Sequence, residues 1–469
     1  MSGTMNDNIR FLFYPKTVAV FGVTDTPDRV GYNILAAILE GGYTGKVYPI
    51  HPRHQEIQGR KVYRSLEEIP EPIDLAVITL NERFTVETAE LCGRAGVKAL
   101  LCNAGGFRET DEKGNELEKT LISIAQKYQM AVLGPNTLGL VNTNGNLYSI
   151  FYPINVPTSN ISIICQSGGV GLSTIQTTVD EGIGINKFIG VGNCTVLDIP
   201  DYLDYLATDD STDVIGVYLE GAADAAKLIR TASRVAQKKP VVVFKAGRLS
   251  AASNYTLTHT GAMAGTYQLY EDIFHQHGLF TVDNVGEFVA AMKALSLLPL
   301  PEGNRVGVLT HTAGPMVTAL DYILSHDCSL PVLADETIAK VKQVLGSDNP
   351  PVVLKNPLDA VGLGFSRPIF SGLAEVILQD DNVDLLITCY VKHKTWELPA
   401  EEMVEIAQRL KKPMMVNLIG NIQACRPDQM VMHGGGVPLY TTPEKIAVGV
   451  AALVHYGKQR KGGANFDHK

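Results

Sequence analysis

The sequence predicts an α/β protein with three Rossmann-like or flavodoxin-like doubly wound domains in series. Short apolar runs alternate with stretches of helical periodicity along the whole chain. This alternation is typical of a parallel sheet that is covered by helices on both faces. The length of 469 residues also exceeds what one hydrophobic core supports, so about three domains are expected.

The strand pattern starts three times, and these starts set the predicted domain boundaries. The first start is at residues 17–22, the second at 160–165 after a linker that contains Pro and Asn, and the third at 305–310. The third start follows a second linker, rich in Leu and Pro, at 297–304. We therefore predict domains over residues 1–145, 150–297 and 303–459.

The apolar runs give the individual elements. They predict strands at 17–22, 45–50, 75–79, 99–102, 131–133, 160–165, 188–191, 214–219, 241–245, 305–310, 385–390 and 414–417. Helical spacing predicts helices at 30–39, 85–95, 116–128 and 443–456, with a further helix that begins near Thr266.

Composition excludes several classes of protein. Hydrophobic residues make up 45% of the chain, yet no run approaches the ~18 apolar residues of a membrane span. No signal-peptide pattern opens the chain, so a cytoplasmic protein without a membrane partner is expected. The net charge of −9 disfavours nucleic acid as a partner. Seven scattered cysteines lack zinc-site spacing, which predicts free thiols and no metal site.

The glycine turn after the first strand, at residues 22–31, lies where doubly wound sheets bind nucleotides. It does not have the G-x-G-x-x-G spacing, and the second strand is followed by His-Pro-Arg53 instead of an acidic residue. Both observations weaken an NAD site. A cation there suits a ligand with an extra ribose phosphate, such as coenzyme A or NADP, and the alternative is a solvent-exposed Arg53.

Two features of the second domain could handle phosphate. Ser167, Gly168 and Gly169 follow a strand and open a helix, so their amide hydrogens could bind an anion, although a ligand-free turn has the same pattern. Glu220 ends an apolar run and is expected at the carboxyl edge of the sheet. It could accept a hydrogen bond from an imidazole, or it could be a surface residue.

His259 lies in a loop of small residues, 256–265, where no bulky neighbour would shield it. An imidazole is both a nucleophile and a leaving group near neutral pH, so His259 could carry a phosphoryl group. The alternative is an ordinary surface histidine. His311, within Thr-His-Thr-Ala-Gly314, is the internal competitor, but it directly follows a strand and should be held more rigidly.

With these motifs the chain resembles, from about residue 10 to 457, the α subunits of nucleoside-diphosphate-forming acyl-CoA synthetases, the ADP-forming acetyl-CoA synthetase branch related to succinyl-CoA synthetase. Ten segments in the correct order carry the resemblance: 45–53, 103–109, 134–139, 166–169, 192–193 with Asp198, 218–221, 245–248, 258–265, 356–359 and 437–444.

The resemblance implies a CoA-binding first domain, a phosphohistidine-bearing second domain and a flavodoxin-like third domain. It implies the reaction of a carboxylate, CoA and ATP to acyl-CoA, ADP and phosphate through an acyl phosphate and a phosphohistidine. ATP or ADP with Mg²⁺ would bind a partner β subunit of the ATP-grasp class, in an α2β2 assembly. By position, the resemblance makes His259 and Glu220 catalytic, Gln166, Ser167, Gly168 and Gly169 phosphate-binding, and Gly22, Thr24, Pro52, Arg53, Thr79 and Asn136 CoA-binding.

Departures from the family pattern leave the acyl substrate open. Thr137 stands where relatives usually have Cys, and Thr310-His-Thr-Ala-Gly314 replaces a Thr-Asn-Ala-Gly-Gly pattern. Acetate is the default acid, and a longer or substituted acid is also compatible. Two other functions remain: a catalytically silent CoA-binding regulatory or scaffold protein, and an NADP-dependent oxidoreductase.

Overall fold

A computed structural model describes residues 5–249 and 267–462. The chain forms two compact units, Met1–Val179 with Gly184–Asp283 and Asp180–Ile183 with Asn284–Lys469. Three main sheets, of five, seven and five strands, account for the α/β class that was predicted. The predicted domain boundaries are a finer division than these two units, and they stay a prediction.

The first sheet is parallel with strand order β2-β1-β5-β6-β7, and a small β3-β4 hairpin accompanies it. Its strands are almost wholly buried, as expected when helices cover both faces. The strands are β1 Thr17–Phe21, β2 Lys46–Ile50, β3 Glu56–Ile57, β4 Arg60–Lys61, β5 Leu75–Ile78, β6 Ala99–Cys102 and β7 Ala131–Leu133. The helices are α1 Arg10–Phe13, α2 Val30–Glu40, α3 Glu82–Arg94 and α4 Glu112–Tyr128.

The second sheet has the order β14-β13-β12-β10-β11-β8-β9. Five strands are parallel, and β8 and β9 extend the sheet in antiparallel fashion beyond β11. The strands are β8 Gly139–Asn142, β9 Leu147–Ile150, β10 Thr158–Cys165, β11 Ile185–Gly190, β12 Val214–Leu219, β13 Val241–Lys245 and β14 Phe280–Val282. The helices are α5 Gly168–Asp180, α6 Ile199–Ala207, α7 Ala225–Ala236 and α8 Tyr267–Gln276.

The third sheet is parallel with the order β16-β15-β17-β18-β19. Its strands are β15 Val306–Thr310, β16 Leu358–Asp359, β17 Leu385–Val391, β18 Met414–Ile419 and β19 Leu439–Tyr440. The helices are α9 Val285–Leu297, α10 Ala313–Ser325, α11 Asp335–Leu345, α12 Arg367–Gln379, α13 Ala400–Leu410, α14 Ile422–Gly434 and α15 Pro443–Lys461. Short 3-10 helices lie at Asp7–Ile9, Leu66–Glu68 and Val361–Phe365.

The five parallel strands of each sheet share one order. When the parallel strands of a sheet are numbered one to five along the chain, their order across the sheet is 2-1-3-4-5. This is the flavodoxin-like arrangement. In this topology the ligand crevice opens at the carboxyl ends of the first and third strands. These pairs are β1 with β5, β10 with β12, and β15 with β17.

Most predicted elements are confirmed, with differences at their ends. Helices α3 and α4 begin three or four residues earlier than predicted because Asn81 and Asp111 cap their first turns by accepting from Phe84 N and Gly114 N. Strands β3, β4, β8, β9, β14, β16 and β19 were not predicted. Across residues 5–249 and 267–462, no helix has the length and apolar character needed to cross a membrane.

Candidate active site

A cavity of about 530 Å³ opens at the carboxyl ends of β1 and β2. Gly22, Thr24 and Pro52, three of the residues predicted to bind CoA, line it together with His51. The remaining lining residues include apolar and polar side chains: Leu66, Leu80, Phe84, Leu91, Arg64, Ser65, Glu67 and Thr88. This mixed lining fits a ligand with polar phosphate and planar aromatic parts.

Gly22 occupies a position in this cavity where a side chain would not fit. Its φ is +79°, and a Cβ there would lie 2.6 Å from the Thr79 hydroxyl oxygen. The same hydroxyl donates to the Phe21 carbonyl at 2.8 Å. Helix α2 also comes close, because a Cβ on Gly31 would lie 2.1 Å from the Gly22 carbonyl oxygen. Glycine at these two positions therefore lets the backbone after β1 pack closely against Thr79 and the start of α2.

The other predicted CoA ligands have separate positions. Arg53 is exposed next to Pro52, and its backbone N–H donates to His51 Nδ1 at 3.2 Å. Asn136 has a φ of +57° and lies outside the residues that line the cavity. Its amide nitrogen donates to the side chain of Asn193 at 3.3 Å. The CoA-binding roles of these residues stay predictions.

Asn193 organises a buried polar cluster next to Asn136. It is 3% exposed, and its amide nitrogen donates to Glu109 Oε2 at 2.6 Å and Glu118 Oε2 at 3.1 Å. Arg108 donates to the Asn193 carbonyl and pairs with Glu118 at 3.2 Å. Sequence reasoning placed Asn193, Arg108 and Glu109 in family motifs but did not predict that they meet. The carboxylates come from the α4 region and Asn193 from the loop after β11.

The start of α5 has the geometry expected of an anion site. The helix begins at Gly168, directly after β10, and the first backbone N–H groups of a helix have no partner within it. Among the described residues, no heavy atom lies within 4 Å of a Cβ built on Gly169. The Ser167 hydroxyl accepts from Val170 N at 3.4 Å. Phosphate binding by Ser167, Gly168 and Gly169 stays a prediction that this geometry favours.

Glu220 lies at the adjacent strand end. β12 is paired in parallel with β10, and Cys165 is opposite Tyr218, so Glu220 follows β12 at the same edge where α5 begins. It is 5% exposed, and its Oε1 accepts from the Tyr218 hydroxyl at 3.2 Å. Burial, with the nearby Glu220 charge, raises the pKa of Tyr218, so the phenol stays protonated as a donor. Glu220 is thus a buried carboxylate at the switch point, and the surface reading of Glu220 is not supported.

Gln166 has a partner set that the sequence did not predict. Its Oε1 accepts from the backbone N–H groups of Glu220 and, at 3.1 Å, of Gly221. Its Nε2 donates to the Gly221 carbonyl at 2.8 Å. The side chain of Gln166 is therefore engaged with the backbone after β12, and its predicted phosphate-binding role stays a prediction.

His259 lies outside the described residues, in the segment between β13 and α8. Its competitor His311 is described: it is 7% exposed, and its Nε2 accepts from Val391 N at 2.9 Å. Burial lowers the pKa of His311, so the ring is neutral near pH 7. Phe365 and Tyr390 contact the ring, with centroids 4.4 and 4.8 Å away. Because Nε2 is occupied and Nδ1 is buried, His311 is poorly placed to accept a phosphoryl group.

Lys245 is a further residue to which the sequence analysis gave no role, although it begins the family segment 245–248. It ends β13, it is 5% exposed, and its ammonium donates to the Glu220 carbonyl at 2.9 Å. The available signal was a charged residue closing the apolar run Val-Val-Val-Phe. Within the two described ranges, no cluster of three or more His, Cys, Asp or Glu side chains could hold a metal ion.

Two segments match known families. Residues 16–143 match the CoA binding domain, and residues 158–295 match the succinyl-CoA ligase like flavodoxin domain. The first match covers the cavity beside Gly22, and the second covers Gln166, Glu220, Lys245 and His259.

Several relatives match nearly the whole of this chain. The α subunit of ADP-forming acetate–CoA ligase II from Pyrococcus furiosus is 35% identical over 97% of this chain and 99% of its own. A 4-hydroxybutyrate–CoA ligase (ADP-forming) from Nitrosopumilus maritimus is 30% identical over 94% of this chain, which spans 63% of that longer protein. A solved acetyl-coenzyme A synthetase from Ca. Korarchaeum cryptofilum, in complex with phosphate and ADP, matches with a TM-score of 0.89 and 32% identity over 97% of this chain and 98% of its own. The chain belongs to the α-subunit family of the ADP-forming acetate–CoA ligases.

Proposed function

We propose that this chain is the α subunit of an ADP-forming acyl-CoA synthetase that moves a phosphoryl group on His259. One observation in particular supports it: the N-terminus of α5 and the buried carboxylate of Glu220 lie at neighbouring strand ends, at the switch point of the second sheet. β13, the strand that precedes His259 in sequence, is paired in parallel with β12 and ends at this same edge.

The chemistry is a sequence of three transfers. Phosphate displaces CoA from the acyl carbonyl, giving an acyl phosphate and the free thiol. A nitrogen of His259 then attacks the phosphorus, and the carboxylate leaves with the bridging oxygen. An oxygen of ADP finally takes the phosphoryl group, giving ATP and free imidazole, and each step is reversible. Coenzyme A would bind in the cavity beside Gly22, which Thr24 and Pro52 line, and would contact Thr79 and Arg53 next to it.

The residues of the second domain have distinct tasks in the phosphoryl step. The amide hydrogens of Ser167, Gly168 and Gly169 stabilise the charge of the moving group. Glu220 accepts a hydrogen bond from one imidazole nitrogen of His259 and leaves the other nitrogen free to attack. ATP or ADP with Mg²⁺ binds an ATP-grasp β subunit, and the two subunits form an α2β2 assembly.

The decisive experiment is phosphoryl labelling of the full-length chain. We expect acid-labile label on His259 when the chain and its ATP-grasp partner are incubated with acetyl-CoA and [³²P]phosphate. The label should be absent in His259→Asn and unchanged in the control His275→Asn, an exposed histidine of α8. Label that persists in His259→Asn, or that maps to His311, contradicts the proposal. CoA binding without any label would instead indicate a catalytically silent CoA-binding protein.

A further inference from the structure

The peptide that joins Glu220 to Gly221 is held from two sides by side chains of other strand ends. Gln166, after β10, accepts from both backbone N–H groups and donates to the Gly221 carbonyl at 2.8 Å. Lys245, at the end of β13, donates to the Glu220 carbonyl at 2.9 Å. Within the described part of the chain, two side chains thus bond all four backbone polar groups of these two residues.

These bonds take the place of β-sheet hydrogen bonds at the point where the pairing of β12 with β13 ends. The last ladder bond at this edge runs from Ala246 N to the Leu219 carbonyl at 2.9 Å, so Glu220 lies just beyond the sheet. Backbone groups beyond a sheet edge need other partners when they are buried. Gln166 is 9% exposed and Lys245 is 5% exposed, so both side chains that bond this backbone are buried.

Lys245 is a costly residue to place here. Burial lowers the pKa of Lys245 to about 8, and the Glu220 charge only partly opposes this. Its ammonium also donates to the Ala246 carbonyl at 2.5 Å and lies 5.2 Å from the centre of the Tyr270 ring. In the described residues Lys245 forms no ion pair, so its bonds go to backbone carbonyls. An apolar side chain would pack at lower cost, which points to a role that depends on geometry.

We propose that Gln166 and Lys245 are positioning residues of the phosphoryl-transfer site, which fix the backbone of Glu220 so that its carboxylate meets one nitrogen of His259. The Tyr218 hydroxyl holds the other end of the same side chain, at 3.2 Å from Oε1. This inference rests on the proposed function and assigns Gln166 a task other than direct phosphate binding.

Substitution of Gln166 or Lys245 should therefore misorient Glu220 without weakening ligand binding. A shift of about 1 Å in a catalytic group costs about 10²-fold in rate. We expect Lys245→Met and Gln166→Met each to slow labelling of His259 by about 10²-fold, with unchanged affinity for CoA. When Glu220 no longer selects one nitrogen, the phosphoryl group should also appear on both nitrogens of His259.

The experiment measures rate, regiochemistry and CoA affinity in the full-length chain with its partner. Labelling with acetyl-CoA and [³²P]phosphate gives the rate, ³¹P NMR separates the Nδ1 and Nε2 phosphohistidines, and calorimetry gives the affinity for CoA. The matched control is Lys239→Met, because Lys239 also donates to two backbone carbonyls, at 2.8 and 2.7 Å, but before the opposite end of β13. It should label at the wild-type rate on a single nitrogen.

Gln166→Glu provides a second test if the methionine variants fold poorly. It keeps an acceptor for the two N–H groups but loses the donor to the Gly221 carbonyl, so its rate should lie between those of wild type and Gln166→Met. Wild-type rate and a single isomer in Lys245→Met or in Gln166→Glu would overturn the inference, as would an equal loss in Lys239→Met. Absence of label in the wild-type protein would instead overturn the proposed function itself.

Discussion

Replacing Asp209 by Asn should destabilise the second sheet strongly. Lys187, on β11, is fully buried, and its ammonium lies 2.5 Å from Asp209 Oδ2 and 3.0 Å from Ser211 Oγ. The Lys187 side chain is 0% exposed and that of Asp209 is 11% exposed. Water therefore cannot replace the lost carboxylate as the partner of the Lys187 ammonium. Removing one partner of a buried pair costs about 3 to 5 kcal/mol, and because Asn keeps an acceptor we expect about 3 kcal/mol.

The effect is measured by calorimetric melting. For a domain of this size, about 3 kcal/mol corresponds to a fall in Tm of about 6 to 12 °C. The double variant Lys187→Met, Asp209→Asn should recover part of the loss because no unpaired charge stays buried. The control is Glu87→Gln in the exposed pair with Arg83, which should leave Tm nearly unchanged. Additive losses in the double variant would refute the reasoning.

The pH dependence gives an independent check on the same pair. Burial raises the pKa of Asp209, but hydrogen bonds from Lys187 and Thr212 more than offset this and leave the pKa below its ordinary value. The stabilisation is therefore present above the unfolded pKa, near ~4, and is lost as pH falls through the folded pKa. The difference in Tm between wild type and Asp209→Asn should shrink below about pH 4.

Three further predictions concern the sites around the sheets. Thr137→Val should cost about 2 to 4 kcal/mol in a denaturant titration, because it removes the hydroxyl that donates to the Gly190 carbonyl and accepts from Gly139 N, whereas Thr137→Ser should lose much less. Gly22→Ala should weaken CoA binding in calorimetry by at least tenfold because of the contact with Thr79, while Gly59→Ala, with a similar φ of +70° but open space around it, should bind CoA normally. Burial lowers the pKa of His433 to about 4, so the unfolding free energy should fall as pH drops from about 6.5 to 4, and His433→Gln should flatten that profile.

The local sequence alone was sufficient to predict most of the central strands of each sheet. Among the strands next to the proposed site, β12 is an unbroken apolar run, β13 is apolar up to Lys245, and β10 is apolar over residues 163–165, and a buried parallel strand needs that pattern. β16 and β19 have two residues each, too short to show a period. β8 and β9 lie in sequence beside the first sheet, yet they pair with the second, and pairing at a distance leaves no local signal.

The site was predictable in its residues but not in its contacts. Glu220 and the glycines of α5 follow apolar runs, so their place at a sheet edge could be inferred. The hydrogen-bond partners of Gln166 and Lys245 depend on β10, β12 and β13 being neighbours in the sheet. The sequence of a single segment does not determine the order of the strands. The same holds for Asn193, whose partners Glu109 and Glu118 are 84 and 75 residues away in sequence.

The way β8 and β9 join the second sheet has a practical consequence for dividing the chain. Only residues 134–138 separate β7 of the first sheet from β8 of the second. A fragment that ends at residue 145 would carry β8 without β9 and β11, and its complement would expose the bare edge of β11. Unpaired edges of this kind invite strand-to-strand association between molecules. A CoA-binding fragment that is to remain monomeric should therefore end before Gly139.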